Sequence, residues 1–210
     1  MVRKRDMDWI TYKGSGGPGS GKSIVFVSGD EEYRSEEGLP MLAKILSQNH
    51  GFNCTVLFSI NDETGEIDPE TVDNIPGLRS LKDADLMVML LRFRELPDEQ
   101  MAHIIDFIEA GKPVIALRTS THAFKYLKDT ESPFAKYDCE NKDPSFLGGF
   151  GRQILGEAWV GHHGEHGVEG TRGLIDSQLA NHPVLKGVSD IWAPTDVYAV
   201  GELQGNPSVL

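Results

Sequence analysis

Short unbroken apolar runs alternate along this chain with stretches in which apolar residues recur every three or four positions. The runs are Ile24–Val27, Cys54–Phe58, Leu86–Leu91 and Val114–Leu117. Runs of this length, bounded by turn formers, predict strands buried on both faces, as in a parallel sheet. Between the first two, Leu39, Leu42, Ala43, Ile45 and Leu46 share one side of a helix that Ser35 would cap. Glu36 and Glu37 fall in its first turn and His50-Gly51 at its end, as the helix dipole and left-handed caps prefer. Between the last two, Met101, Ile104, Ile105 and Ile108 form the inner face of a helix starting at Pro97 and closed by Gly111. The order of elements predicts an α/β fold whose parallel sheet is covered by helices on both faces, with right-handed crossovers. The segment 61–79, with two Gly and two Pro, is expected to run over the surface. A further helix is expected after Arg118–His122. Beyond Lys125 regularity fades, and only Gly173–Ile175 and Asp196–Leu203 remain as strand candidates.

Length and composition narrow the class. A chain of 210 residues with 39% apolar and 25% charged residues fits one globular domain with a substantial core. The formal net charge of −12 opposes binding to nucleic acid, which relies on Lys and Arg at phosphates. No apolar run reaches the length of a membrane span. Basic residues near the N-terminus have no apolar stretch behind them, so no signal peptide is read there and a soluble, cytoplasmic protein is the default. Cys54 and Cys139 are expected as unpaired thiols without special reactivity. Residues 1–21, Gly/Ser-rich from Gly14 to Gly21, are expected as a flexible lead-in to a single domain over 22–210.

That lead-in contains Gly16-Gly-Pro-Gly-Ser-Gly-Lys22-Ser23, which fits the phosphate-loop pattern letter for letter. The pattern works only when a helix follows, so that its N-terminus meets the phosphates. Here Ile-Val-Phe-Val follows and makes a strand, so nucleotide binding is not expected.

The carboxyl ends of the predicted strands carry Asp30-Glu31-Glu32-Tyr-Arg34, Asn61-Asp-Glu63, Arg92-Phe-Arg94 and Arg118-Thr119-Ser120-Thr-His122. Parallel strands would gather these clusters on one rim, where open α/β sheets bind ligands. Acids beside Arg and hydroxyl groups suit a polyhydroxylated ligand, which needs acceptors and donors together. The bland alternative is a set of solvated local pairs, Arg34 with Glu31 or Glu32 and Arg92 with Glu95. Gly161-His162-His163-Gly-Glu-His166-Gly167 is the densest metal-capable segment. Its glycines predict a loop, in which His162, His163 and His166 are candidate ligands for a divalent ion such as zinc. Such a loop would supply two ligands and need a third from elsewhere, Glu32 or His122 for example. Otherwise no cofactor is expected. Trp159 is a candidate stacking platform for a sugar ring.

Taken as a set, Ser28–Glu37, Ala116–Phe124, Gly148–Gly151, the His162-His163 loop, His182–Gly187 and Thr195–Tyr198 resemble the trehalose-utilisation (ThuA-like) family. That family is similar in fold to class I glutamine amidotransferases, and the likeness spans roughly residues 22–203. It implies a flavodoxin-like three-layer α/β/α sandwich and a role in sugar catabolism, on a disaccharide or keto-sugar. On the amidotransferase pattern Thr119 falls where the nucleophilic Cys would be, which removes the thiolate that glutamine hydrolysis needs. Relatives of this kind continue through further strands after the Asp-x-Tyr segment, so a C-terminally incomplete domain is expected, with upstream sequence missing as well. The expected roles follow. Glu32, His122 and His162 or His163 would transfer protons. Asp30, Glu31, Arg34, Arg92, Arg118, Thr119 and Ser120 would bind substrate, with Asp196 and Tyr198 closing the far side. A small-molecule sugar is the expected partner, with homo-oligomerisation left open. The rival readings are a non-catalytic carbohydrate-binding or accessory module on a degenerate amidotransferase scaffold and a metal-dependent hydrolase built on His162–His166.

Overall fold

The computed structural model describes residues 8–210; the first seven residues of the expected lead-in lie outside the described residues. Among the described residues the main sheet has five strands: β1 (Trp9–Tyr12), β2 (Ser23–Gly29), β3 (Asn53–Leu57), β4 (Leu86–Leu91) and β5 (Val114–Ala116). Their spatial order is β1-β3-β2-β4-β5. Strands β2 to β5 are parallel, and β1 runs antiparallel to β3 with Trp9 opposite Leu57 and Tyr12 opposite Cys54. The fold is thus mixed α/β with a mostly parallel sheet. Two helices, α1 (Ser35–His50) and α2 (Asp98–Glu109), connect β2 to β3 and β4 to β5.

The period-two alternation of side chains along the strands divides the core. Val25, Val27, Met87, Met89 and Leu91 pack with Met101, Ile104 and Phe107 of α2, while Ile24, Phe26, Val56, Val88 and Leu90 pack with Leu39 and Ala43 of α1. Each large apolar side chain fully buried this way stabilises the fold by about 1.5–3 kcal/mol. From β2 the chain moves outward to β3, and from β4 it moves outward the other way to β5. The strand order therefore reverses between β2 and β4, and their carboxyl ends frame the crevice where such sheets receive ligands.

Five expectations need correction. The lead-in is not a loose tether: Trp9–Tyr12, aromatic and β-branched, forms the edge strand β1, and the glycine stretch lies against the end of α1. Gly19 N–H donates to His50 O at 2.8 Å, and a Cβ on Gly14 would sit 2.0 Å from Gly51 O, so only glycine allows that approach. The phosphate-loop pattern then runs straight into β2, with no helix behind it. Segment 61–79 does not skim the surface either. Ile75 and Leu78 are fully buried, because Arg94 draws the carbonyls of Pro69 and Thr71 inward and Asn74 bonds Ile60 O and Gln100.

The third correction concerns β5. It sits at the edge of the sheet, paired only with β4 among the described residues, and Ile115 is 48% exposed instead of buried. Fourth, Arg118–His122 opens no α-helix but a single 3-10 turn. The chain then straightens, because Arg94 N–H donates to Ala123 O at 2.7 Å and Lys125 N–H to Arg94 O at 3.0 Å, extending the line of β4.

Residues after 156 form two antiparallel ribbons: β6 (Trp159–His163) with β9 (Val197–Val200), and β7 (Thr171–Gly173) with β8 (Ile191–Ala193). The histidine segment expected as a loop is in its first half a strand, paired so that His162 lies opposite Tyr198 and His163 opposite Val197. Among the described residues no helix is long and apolar enough to cross a membrane.

Candidate functional site

The turn after β2 is built by Asp30. Its Oδ1 accepts the amides of Glu32 and Tyr33 at 2.8 and 2.7 Å, and its Oδ2 accepts the hydroxyl of Thr119 from the end of β5. Both side chains are fully buried, so the β2 and β5 clusters are joined beneath the rim. Ser35 does not act as a side-chain cap; it is the first residue of α1, where its hydroxyl accepts Asp30 N–H and ties the helix start to the same turn. Ser120 donates to Met89 O and accepts Leu91 N–H, both within the sheet. Asp30, Thr119 and Ser120 thus shape the site from below and do not face a substrate.

Above them Arg92 pairs with Glu31 and, at 3.0 Å from Nε to Oε2, with Glu32. Arg94 is buried and bonds Glu31 Oε2 at 3.0 Å; desolvation pulls its pKa below the usual value, opposed by Glu31 and Asp30. Arg118 donates to Tyr33 Oη at 2.9 Å, to Asp196 O at 2.8 Å and to Asp196 Oδ1 at 3.1 Å. Its guanidinium lies 4.1 Å from the centroid of Tyr198. The pairs Arg34 with Glu31 or Glu32 and Arg92 with Glu95 do not form. Arg34 pairs with Glu37 one turn along α1, away from the rim, and Glu95 accepts the amides of Lys128 and Asp129. Asn61 and Asp62 belong to the 61–79 segment: Asn61 accepts the amides of Glu63 and Thr64 and donates to Asp68, and Asp62 accepts from Asn74.

The β6–β9 ribbon closes the top. Asp196, 2% exposed, accepts His162 Nδ1–H on Oδ2 at 2.5 Å and His166 Nδ1–H on Oδ1 at 2.9 Å. Burial works against its charge, but the hydrogen bonds from His166, His162, Thr195 and Arg118 hold its carboxyl far below the ordinary carboxylate range. Gly164, at φ +101° beside Asp196, bends the chain so that both rings reach one carboxylate. His166 Nε2 comes within 3.6 Å of Glu32 Oε1. Donor atoms of Glu32, His162 and His166 all lie within 4.8 Å of one another. His163, next along the strand, points to the opposite face and does not join this group. The third member is Glu32, from another element.

His122 lies deeper, with ring centroids of Phe93, Trp159 and Tyr198 at 5.1, 5.0 and 5.7 Å. Burial, reinforced by Arg92, lowers its pKa to about 4, so the imidazole is neutral at pH 7. Trp159 and Tyr198 also touch the His162 ring, linking the two histidine environments. A cavity of about 380 Å³ adjoins them, lined by Val114, Ala116, Arg118, Thr121, Leu155, Glu157, Val197 and Tyr198. That is within the size range of small-molecule sites.

The site is also where the backbone departs from its easy conformations. Among the described residues the non-glycine positions with positive φ are Arg34, Phe93 and Arg118, at 52°, 51° and 42°. They follow the carboxyl ends of β2, β4 and β5. Each costs on the order of 1–3 kcal/mol, and such strain gathers at functional sites. Tyr33, Phe93, Arg94 and Thr195 were missing from the expected set. Tyr33, Phe93 and Arg94 stand inside the quoted strand-end clusters and Thr195 opens the quoted Thr195–Tyr198 segment, so the signal was there in each case. The cysteines are free, and burial raises Cys54 to about 11 and Cys139 to about 12, so neither offers a thiolate at neutral pH. Comparisons with protein-family models, with curated proteins and with solved structures give no match for this chain.

Proposed function

We propose that this chain is a ThuA-like sugar-handling domain, a flavodoxin-like three-layer α/β/α sandwich related in fold to class I glutamine amidotransferases, acting on a disaccharide or keto-sugar by proton transfer. One observation carries the reading: acids, guanidiniums, imidazoles and tyrosines from the ends of β2, β4 and β5 and from the β6–β9 ribbon meet on one rim, and two of them, Arg118 and Tyr198, line a cavity of about 380 Å³. Neutral polyols need donors and acceptors interleaved on one wall, and Arg92, Arg118, Tyr33, Tyr198 and Glu32 supply that. The mixed signs and the net charge of −12 favour a small uncharged ligand over nucleic acid. In this reading Glu32 and His166 exchange the proton across their 3.6 Å gap, and His162 is its second imidazole, oriented by Asp196. The neutral His122 serves as wall and hydrogen-bond partner in the aromatic pocket. Glutamine amidotransferase chemistry is not part of the proposal, because Thr119 is buried and spends its proton on Asp30.

The test is incubation of the purified chain with neutral disaccharides and their keto derivatives, following Trp fluorescence for binding and product for turnover. Saturable binding with turnover is expected, Glu32→Gln and His166→Ala are each expected to abolish turnover while the fold persists, and His122→Ala is expected to weaken binding. Retained activity in both Glu32→Gln and His166→Ala excludes this assignment. Binding without turnover turns the reading toward an accessory carbohydrate-binding module.

A further inference from the structure

The geometry points to a divalent transition-metal site, of the zinc class, formed by Glu32 Oε1 and the Nε2 atoms of His162 and His166, with Asp196 as the outer carboxylate that orients both rings. It concerns the same rim as the proposed function but does not rest on the sugar reading, since it follows from donor placement alone.

Two imidazoles and one carboxylate from separate elements are a ligand set that suits zinc and leaves a fourth position open. Glu32 comes from the turn after β2, His162 from β6 and His166 from the turn beyond it, and one ligand atom of each, a carboxylate oxygen or a ring nitrogen, lies within 4.8 Å of the other two. With bonds of about 2.0 Å, donors around a tetrahedral ion stand about 3.3 Å apart. The 3.6 Å between His166 Nε2 and Glu32 Oε1 is already close to that, and the part-exposed side chains have room to close the remainder.

What sets this group apart from three adjacent polar side chains is Asp196. A carboxylate can only accept, so both rings must carry their proton on Nδ1, which turns the lone pair of each Nε2 outward. Metal-binding histidines are fixed in this way, the second ring nitrogen donating to a carboxylate that sets tautomer and direction. Here one buried carboxylate serves two rings at 2.5 and 2.9 Å. Arg92 Nε lies 3.0 Å from Glu32 Oε2, which leaves Oε1 as the oxygen facing the imidazoles. The guanidiniums of Arg92 and Arg118 are each matched by an acid, Glu31 and Asp196 respectively, so they do not leave the position uniformly cationic. All three donors are partly exposed, which gives an ion a path in from solvent. With an ion bound, Glu32 is a ligand and is no longer free for proton transfer, so metal loading and metal-free turnover compete.

The experiment is titration of the metal-stripped full chain with zinc against a chromogenic chelator, repeated with cobalt to read its visible absorption. One ion per chain is expected, with the intense cobalt bands of a four-coordinate site. His162→Ala, His166→Ala and Glu32→Gln should each lower the affinity at least a hundredfold. Asp196→Asn should lower it about 10- to 100-fold while all three ligands remain. His163→Ala, one residue away on the same ribbon, should leave it unchanged, and circular dichroism of every variant checks that the fold persists. No stoichiometric binding overturns the proposal. So does an equal loss in His163→Ala and His162→Ala, or full affinity in Glu32→Gln, since either describes surface chelation by histidines. Sugar binding bears on none of these results, so failure here leaves the proposed function standing, and failure there leaves the metal site standing.

Discussion

The sheet and the C-terminal ribbons are held by different physics. In β2 to β4 nearly every side chain is buried, and two apolar cores press the helices onto opposite faces of the sheet. Among residues 152–210, by contrast, Asp196 is the one buried residue. The ribbons β6–β9 and β7–β8 therefore have no apolar core of their own. They are fastened to the sheet by polar contacts at the rim, Arg118 to Asp196 above all, and by the aromatic contacts of Trp159 and Tyr198 with His122. The same contacts that fasten them build the candidate site, so in this region attachment and the geometry of that site are one set of interactions.

The largest contrast should come from truncating one aromatic residue in each region. Phe124 is fully buried against Phe150, and Phe124→Ala should lower stability by about 3–5 kcal/mol in denaturant unfolding. Trp192, on β8, is 62% exposed, and Trp192→Ala should change stability by no more than about 0.5 kcal/mol. Similar losses in the two would mean that the ribbons carry a core of their own.

A smaller effect sharpens the boundary between the regions, where His122 sits. Its folded pKa of about 4 lies below the ordinary value of about 6.5. Between those values the unfolded chain binds more protons than the folded one, so stability rises with pH across that window. Stability from this group is full above about pH 6.5 and falls as the pH drops toward 4, by up to about 3 kcal/mol. His122→Phe should flatten that slope, measured as the difference between the two unfolding free energies at each pH. Parallel curves for both proteins would mean that His122 is not held neutral.

A subtler test concerns the fastening itself. Asp196→Ala should speed proteolytic cleavage within residues 159–200 several-fold while leaving the unfolding midpoint of the sheet nearly in place. Equal acceleration of cleavage in α1 or α2 would contradict separate modes of attachment.

Much of the sheet region was legible in the sequence, because burial on both faces writes itself as unbroken apolar runs. Leu86–Leu91 was delimited to the residue, and β2, β3, α1 and α2 to within one or two. The misreadings came where partners are remote. Trp9–Tyr12 is a strand only because β3, over forty residues on, offers its edge. Ile75 and Leu78 turn inward because Arg94 holds the loop from beneath, which no local pattern states. The edge position of β5 was hidden, since a run of apolar residues reads the same at the centre of a sheet as at its margin. The rim clusters were visible as residue types at strand ends, and Asp30, Glu31, Glu32, Arg92, Arg118 and Thr119 do meet. Which of them face outward was not visible: Thr119 and Ser120 read as exposed hydroxyls but are structural, and Arg34 leaves the rim for Glu37. His163 and His166 could not be ranked without strand parity and the bend at Gly164, which together select His166.

One buried carboxylate, Asp196, holds two imidazoles in place at the rim. Long-range proton–nitrogen correlation spectroscopy of the histidine rings tests it most directly. Both His162 and His166 should carry a proton on Nδ1, facing Asp196, and Asp196→Asn should shift them toward the ordinary Nε2–H tautomer. Finding both rings as Nε2–H in the unaltered protein would contradict it.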